Sequence, residues 1–116
     1  MAARPTNRFE RSLTVIHVLA TVELADGKRP EFLTELARVV PSVRAEMGCL
    51  EYGPAIDISS GIPMQAPVRE NTVVIVEKWS DLEALKAHLI APHMKTYREA
   101  VRGIVRGMTV QILKPA

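Results

Sequence analysis

Two of the three histidines in this chain, His88 and His93, stand five residues apart on either side of Ala91-Pro92. Imidazole is the side chain best suited to proton transfer near neutral pH, and it is also a common metal ligand. A paired metal site on a helix needs its ligands at i and i+4. A spacing of five turns the two side chains about 140° apart on a helix of 3.6 residues per turn. Pro92 also interrupts the helix between them. The pair therefore reads as two one-histidine positions at a helix junction, and the sequence points to no metal site.

Other chemistry is thinly represented. No Gly-x-Gly-x-x-Gly and no Walker loop occurs, and a chain of 116 residues has little length left for a dinucleotide crevice. Cys49 directly follows Gly48 before an apolar strand and reads as a small packed residue rather than a nucleophile. Ser59 and Ser60 lie in turn-like sequence with no nucleophile elbow. General acid–base work survives. A histidine needs a partner to fix its tautomer and an apolar pocket to tune it. His88 and His93 are the candidate catalytic residues, and which of them is the base stays open. Tyr52, Glu77, Trp79, His17 and Tyr97 are the candidate pocket residues.

These residues must be positioned by strands and helices that the sequence marks out. Leu13 to Leu24 alternates, with Thr14, Ile16, Val18, Ala20, Val22 and Leu24 on one face, and Asp26-Gly27 closes it with turn chemistry. A helix is expected over Arg29 to Glu46, with Phe32, Leu36, Val40 (or Val39), Val43 and Met47 as its apolar stripe. Pro41 should kink or divide it, and Gly48 should stop it. Cys49 to Ile58 reads as a second strand, bulged or at an edge because of Gly53-Pro54. A long connection, 59–71, is expected to shape the pocket. Thr72 to Trp79 is the third strand. Ser80-Asp81-Leu82-Glu83 matches a capping box, and Leu82, Leu85 and Leu89 supply the stripe of the helix it opens. After Pro92 a further helix is expected to carry Met94, Tyr97, Val101 and Ile104 or Val105 on one side and to end at Gly107. Met108 to Leu113 is the last strand.

The order β-α-β-β-α-β implies an α+β, ferredoxin-like antiparallel sheet with helices on one face. Residues 1–11 read as a flexible N-terminal arm and 12–116 as a single domain. The uncovered sheet face, expected to carry Val, Ile, Leu, Trp and Tyr, is too apolar for water. A homodimer packed sheet to sheet is the economical solution.

The bulk composition narrows the partners. A formal charge of +2 and 4% aromatic content argue against a nucleic-acid surface. The apolar run from Leu13 to Ala25 follows basic residues, as in a secretory signal. It is broken by His17, Thr21 and Glu23, however, and is rich in β-branched residues, so it reads as a strand. No stretch is long enough to span a membrane. A single cysteine fits a reducing compartment, and a cytoplasmic location is expected.

Two segments, Glu46-Met47-Gly48-Cys49-Leu50-Glu51-Tyr52 and His88-Leu89-Ile90-Ala91-Pro92-His93, resemble those of the antibiotic biosynthesis monooxygenase family, quinol monooxygenases included. Val76-Glu77-Lys78-Trp79 fits the same pattern, and the resemblance runs from about Leu13 to Leu113. It implies a dimeric α/β-barrel built from two ferredoxin-like sheets. It also implies oxygenation of a small phenolic or quinol-type substrate by O₂ with no cofactor. In that chemistry a histidine assists deprotonation and the electron-rich ring supplies the electrons. Haem-degrading relatives use an Asn, a Trp and a His where this chain has Ala20, His88 and Arg98, so that branch is disfavoured. A branch that isomerises a phosphorylated sugar shares the His…Pro-His pattern. A small-molecule isomerase, or a non-catalytic ligand-binding dimer, is the alternative.

Overall fold

The computed structural model describes residues 14–116. The N-terminal arm and Leu13, the first residue of the expected first strand, lie outside the described residues. Seven elements follow in order: β1 (Ile16–Leu24), α1 (Arg29–Arg44), β2 (Cys49–Ala55), β3 (Thr72–Trp79), α2 (Leu82–Leu89), α3 (Pro92–Val101) and β4 (Val105–Leu113). The strands form one antiparallel sheet in the order β2-β3-β1-β4. This is the ferredoxin-like arrangement, with β2 and β4 at its edges.

Period-two burial along β1 explains why the sheet is one-sided. Ile16, Val18, Ala20, Val22 and Leu24 are all buried, while the residues between them are not. The helices cover that face. α1 contributes Phe32, Leu36, Val39, Val40 and Val43, and α3 contributes Met94 and Val101. Pro30 and Pro92 sit in the first turns of α1 and α3, where a missing N–H costs nothing.

Several local expectations are corrected. Pro41 lies inside α1 without dividing it, because it falls in the last turn and its own carbonyl still accepts from the Ala45 N–H at 3.1 Å. α1 ends at Arg44, which leaves Met47 outside the helical stripe and 92% exposed. The N-cap of α2 is Asp81, not Ser80; its carboxylate accepts from the Ala84 N–H at 2.9 Å. The buried face of α2 is Leu85 and His88, while Leu82 and Leu89 are half exposed. α3 ends at Val101, so Ile104 and Val105 lie beyond it, and Gly107 lies within β4 and does not end a helix. β2 is an edge strand, as its proline demands, but its register shift lies between Cys49 and Glu51 rather than at Gly53-Pro54. Beyond Ala55 the chain leaves the sheet. Arg69 then pins residues 56–71 through a paired contact with Asp57, both distances 2.9 Å. Trp79 and Tyr52 point to the helix-covered side, at 0% and 3% exposure. The uncovered face is therefore less aromatic than expected, with Leu19, Thr21, Val74 and Val76 along β1 and β3.

Candidate active site

Gly48 governs how the end of α1 meets the rest of the molecule. Its φ of 84° suits glycine. A Cβ at that position would lie 2.5 Å from Ala84 Cβ and 2.7 Å from Ser80 Oγ. Without that Cβ, the Gly48 carbonyl accepts from the Ser80 N–H at 2.8 Å. The turn after α1 thus packs directly against the start of α2, and Glu46 reaches the far end of that helix.

There Glu46 joins the two histidines. Its Oε2 lies 3.0 Å from His88 Nδ1 and 2.5 Å from His93 Nε2. A carboxylate accepts from both rings, so His88 carries its hydrogen on Nδ1 and turns a bare Nε2 elsewhere. The His88 ring is also held on its faces. Tyr52 meets it edge-on with centroids 5.4 Å apart, and Trp79 lies against it at 4.7 Å. His88 is 2% exposed.

His88 also lines a cavity of about 410 Å³ between the sheet and helices α2 and α3. That volume suits a small organic ligand. The walls are mostly apolar, with Val18, Ala20, Ile75, Met94 and Val101 among them. Its polar groups are few: Tyr52, Glu77, His88 and Tyr97, with Arg98 of α3 and Arg102 at its C-terminal cap. Pairing of Tyr52 with Glu77 across β2 and β3 sets those two side by side on the helix-covered face. The Trp79 indole N–H donates to Glu77 Oε1 at 2.9 Å, so one tryptophan supports both the carboxyl and the imidazole.

Burial decides the protonation states. It holds the His88 imidazole below its ordinary pKa, although the Glu46 hydrogen bond and charge pull the other way. His88 is thus a neutral ring with a free lone pair at neutral pH. Burial raises the Glu77 carboxyl to about 7, opposed by the Trp79 hydrogen bond and aided by the charge of Glu46. Burial, then the charge of Glu77, pushes the Tyr52 and Tyr97 phenols well above the usual range, so both remain hydroxyls. The chamber therefore offers a neutral base, a carboxyl near its titration midpoint and two phenolic hydroxyls. Burial likewise raises the Cys49 thiol, which disfavours the thiolate that a nucleophile needs.

Of the residues singled out from the sequence, His88, Tyr52, Glu77 and Tyr97 line this cavity together. Trp79 stands behind them. His93 is not in the lining; it faces Glu46 from the surface side, with 29% of its side chain exposed. His17 alternates with Ile16 and Val18 and pairs with Lys78, so the sheet separates it from the chamber. The 56–71 connection contributes nothing to the lining. Sequence reasoning did not single out Glu46, Arg98 or Arg102 as site residues. The i, i+4 spacing of the two arginines on an otherwise apolar helix face was the available signal for them. Glu46 opens one of the family-like segments, but no spacing marks it as a site residue, because its role depends on contacts 42 and 47 residues away. Among the described residues, no group of three or more His, Cys, Asp or Glu is disposed to hold a metal ion. No helix among them is long and apolar enough to cross a membrane.

Comparison with known proteins agrees with this fold. The chain is 37% identical over 103 residues to the probable quinol monooxygenase YgiN of Escherichia coli K12, an alignment spanning 87% of this chain and 98% of that protein. Among solved structures, a conserved protein from Methanosarcina mazei Go1 superposes with a TM-score of 0.77 at 18% identity, covering 93% of this chain and 99% of that one. PA3566 from Pseudomonas aeruginosa does so with a TM-score of 0.73 at 23% identity, over 89% and 95% of the two chains. Residues 15–100 match the model of one family across both the Glu46 turn and the His88–His93 junction, and the chain belongs to that family, the antibiotic biosynthesis monooxygenases.

Proposed function

We propose that this protein is a cofactor-independent monooxygenase that oxidises a small phenolic or quinol-type substrate with O₂. The observation that carries this reading is His88. Its Nδ1 is committed to Glu46, its ring is packed by Tyr52 and Trp79, and it lines an apolar chamber that also holds Glu77. The name of the Escherichia coli relative, a probable quinol monooxygenase, supports the substrate class.

The chemistry needs few protein groups. His88 Nε2 takes a proton from a quinol hydroxyl, which makes the ring electron-rich enough to pass an electron to O₂. The radical pair combines to form a carbon–oxygen bond, and the bound peroxide takes back a proton. Loss of the ring hydrogen as a proton, with O–O cleavage, leaves one oxygen on the ring and releases the other as water. The quinol supplies all four electrons that O₂ accepts. The neutral carboxyl of Glu77 and the hydroxyls of Tyr52 and Tyr97 donate hydrogen bonds to oxygen as negative charge develops there. The apolar walls exclude water and strengthen each of these interactions.

A homodimer through the sheet belongs to the same proposal. Leu19 and Val76 stand 40% and 36% exposed on the uncovered face, where a second copy would bury them. Sedimentation of the native protein beside a Leu19→Asp, Val76→Asp variant checks this, with dissociation of the variant expected.

The direct test of the reaction is O₂ uptake by metal-free protein on a panel of hydroquinones. Wild-type protein should consume O₂, and His88→Ala should lose roughly 10²- to 10⁴-fold in rate, the range for a positioned general base. Unchanged uptake in that variant would remove His88 from the mechanism. A ligand that binds and is isomerised, or released unchanged, would favour the non-oxidative alternatives.

A further inference from the structure

Beyond the identity of the base, the cavity has a second polar region, and it is cationic. Arg98 and Arg102 project from the C-terminal end of α3, one helical turn apart, and both line the chamber. Both are exposed, whereas Tyr52, Glu77 and His88 are buried. The chamber is therefore polar twice, with acid–base groups at its depth and guanidinium groups at its mouth. Apolar walls join the two. Met108 and Ile112 of β4, 62% and 52% exposed, mark the same open side.

The charges there are not cancelled. Arg98 spends one N–H on the Leu89 carbonyl, at 3.2 Å, which ties α3 to the end of α2. Arg102 makes no side-chain hydrogen bond or ion pair among the described residues. Among the described residues, the only carboxyl in the lining is Glu77, buried and with a pKa raised to about 7. A guanidinium offers a planar fork of donors matched to a carboxylate or phosphate. Two at the entrance of a largely apolar chamber are suited to a ligand with an anionic end.

We infer that the substrate is an amphipathic aromatic molecule whose hydroxylated ring enters the chamber toward His88 and whose anionic substituent, a carboxylate or phosphate, stays at the mouth on Arg98 and Arg102. This deepens the monooxygenase reading and rests on it for the orientation of the ring. Uncharged quinols would still reach the base, but without the hold that orients them.

The test separates the ligand class from the reaction. 6-Hydroxy-2-naphthoate, 6-hydroxy-2-naphthyl phosphate and uncharged 2-naphthol are titrated under argon, with binding read from naphthol fluorescence. An anionic ligand should bind about tenfold more tightly than 2-naphthol, the scale of a charge-assisted hydrogen bond at a partly solvated site. The stronger of the two anions identifies the substituent. The preference should shrink in Arg102→Met, where the replaced side chain is exposed and makes no hydrogen bond among the described residues, and it should weaken as salt rises from about 0.05 to about 0.5 M. Equal affinities, a preference that survives in Arg102→Met, or no binding by any of the three would overturn the inference. If quinols are oxidised while the anion preference is absent, the ligand class falls and the monooxygenase reading stands. If the preference holds but no quinol draws O₂, the monooxygenase reading falls and the ligand class stands.

Discussion

Replacing Glu77 by Gln should make the protein markedly less sensitive to alkaline pH. The Glu77 carboxyl has an ordinary pKa of 4.5 and is raised to about 7 in the folded chain, chiefly by burial. Between those two values the unfolded chain has already released its proton while the folded chain keeps it. The folded state then binds more protons, so stability falls as pH rises. Each tenfold difference in proton affinity between the folded and unfolded chains is worth about 1.4 kcal/mol, so full titration from acid to alkaline conditions costs about 3 kcal/mol. That is a large share of the roughly 5–15 kcal/mol typical of a domain. Gln has the same shape, and its amide oxygen can still accept from the Trp79 indole N–H, now 2.9 Å from Glu77 Oε1. The variant therefore keeps the packing and removes the titration. Because His88 titrates in both proteins, its contribution largely cancels in the comparison. The assay is urea unfolding of wild type and Glu77→Gln at about pH 4 and about pH 8, at one protein concentration so that association does not intrude. The stability gap should move by about 3 kcal/mol in favour of the variant on going to the higher pH. A gap constant within about 0.5 kcal/mol would show that Glu77 ionises as freely in the fold as outside it, contrary to the burial argument.

Three further outcomes follow from the same geometry. The Glu46 hydrogen bond and charge raise the His88 pKa, so Glu46→Gln should move the acid limb of the kcat/KM profile to lower pH and lower its plateau as the base weakens. Trp79→Phe removes the donor that holds the Glu77 pKa down, so an alkaline limb due to loss of the Glu77 proton should move above its wild-type position near 7. Gly48→Ala meets both an unfavourable φ of 84° and a contact of 2.5 Å to Ala84 Cβ, and should cost about 2–4 kcal/mol in thermal or urea unfolding.

The sequence carried the fold because each element announces itself locally. Alternation fixed which face of β1 is buried, the prolines at 30 and 92 marked helix starts, and the βαββαβ order left one reasonable sheet topology. Boundaries were less legible. Pro41 lies where a helix can tolerate it, and the capping role passed from Ser80 to Asp81 because cap geometry depends on backbone angles that the motif does not encode.

For the site, the sequence by itself determined which side chains are capable of proton chemistry: His88, Glu77 and Tyr52 among them. Only the tertiary structure decided which are in a position to use it. His88 and His93 diverge from one another along the chain, yet both reach Glu46, because Gly48 lets the end of α1 sit directly on α2. His17 is equally capable in chemical terms and is excluded by the sheet's alternation. Protonation was also decided in three dimensions. Desolvation by the assembled core, rather than any neighbour in sequence, is what holds His88 neutral and brings Glu77 to about 7.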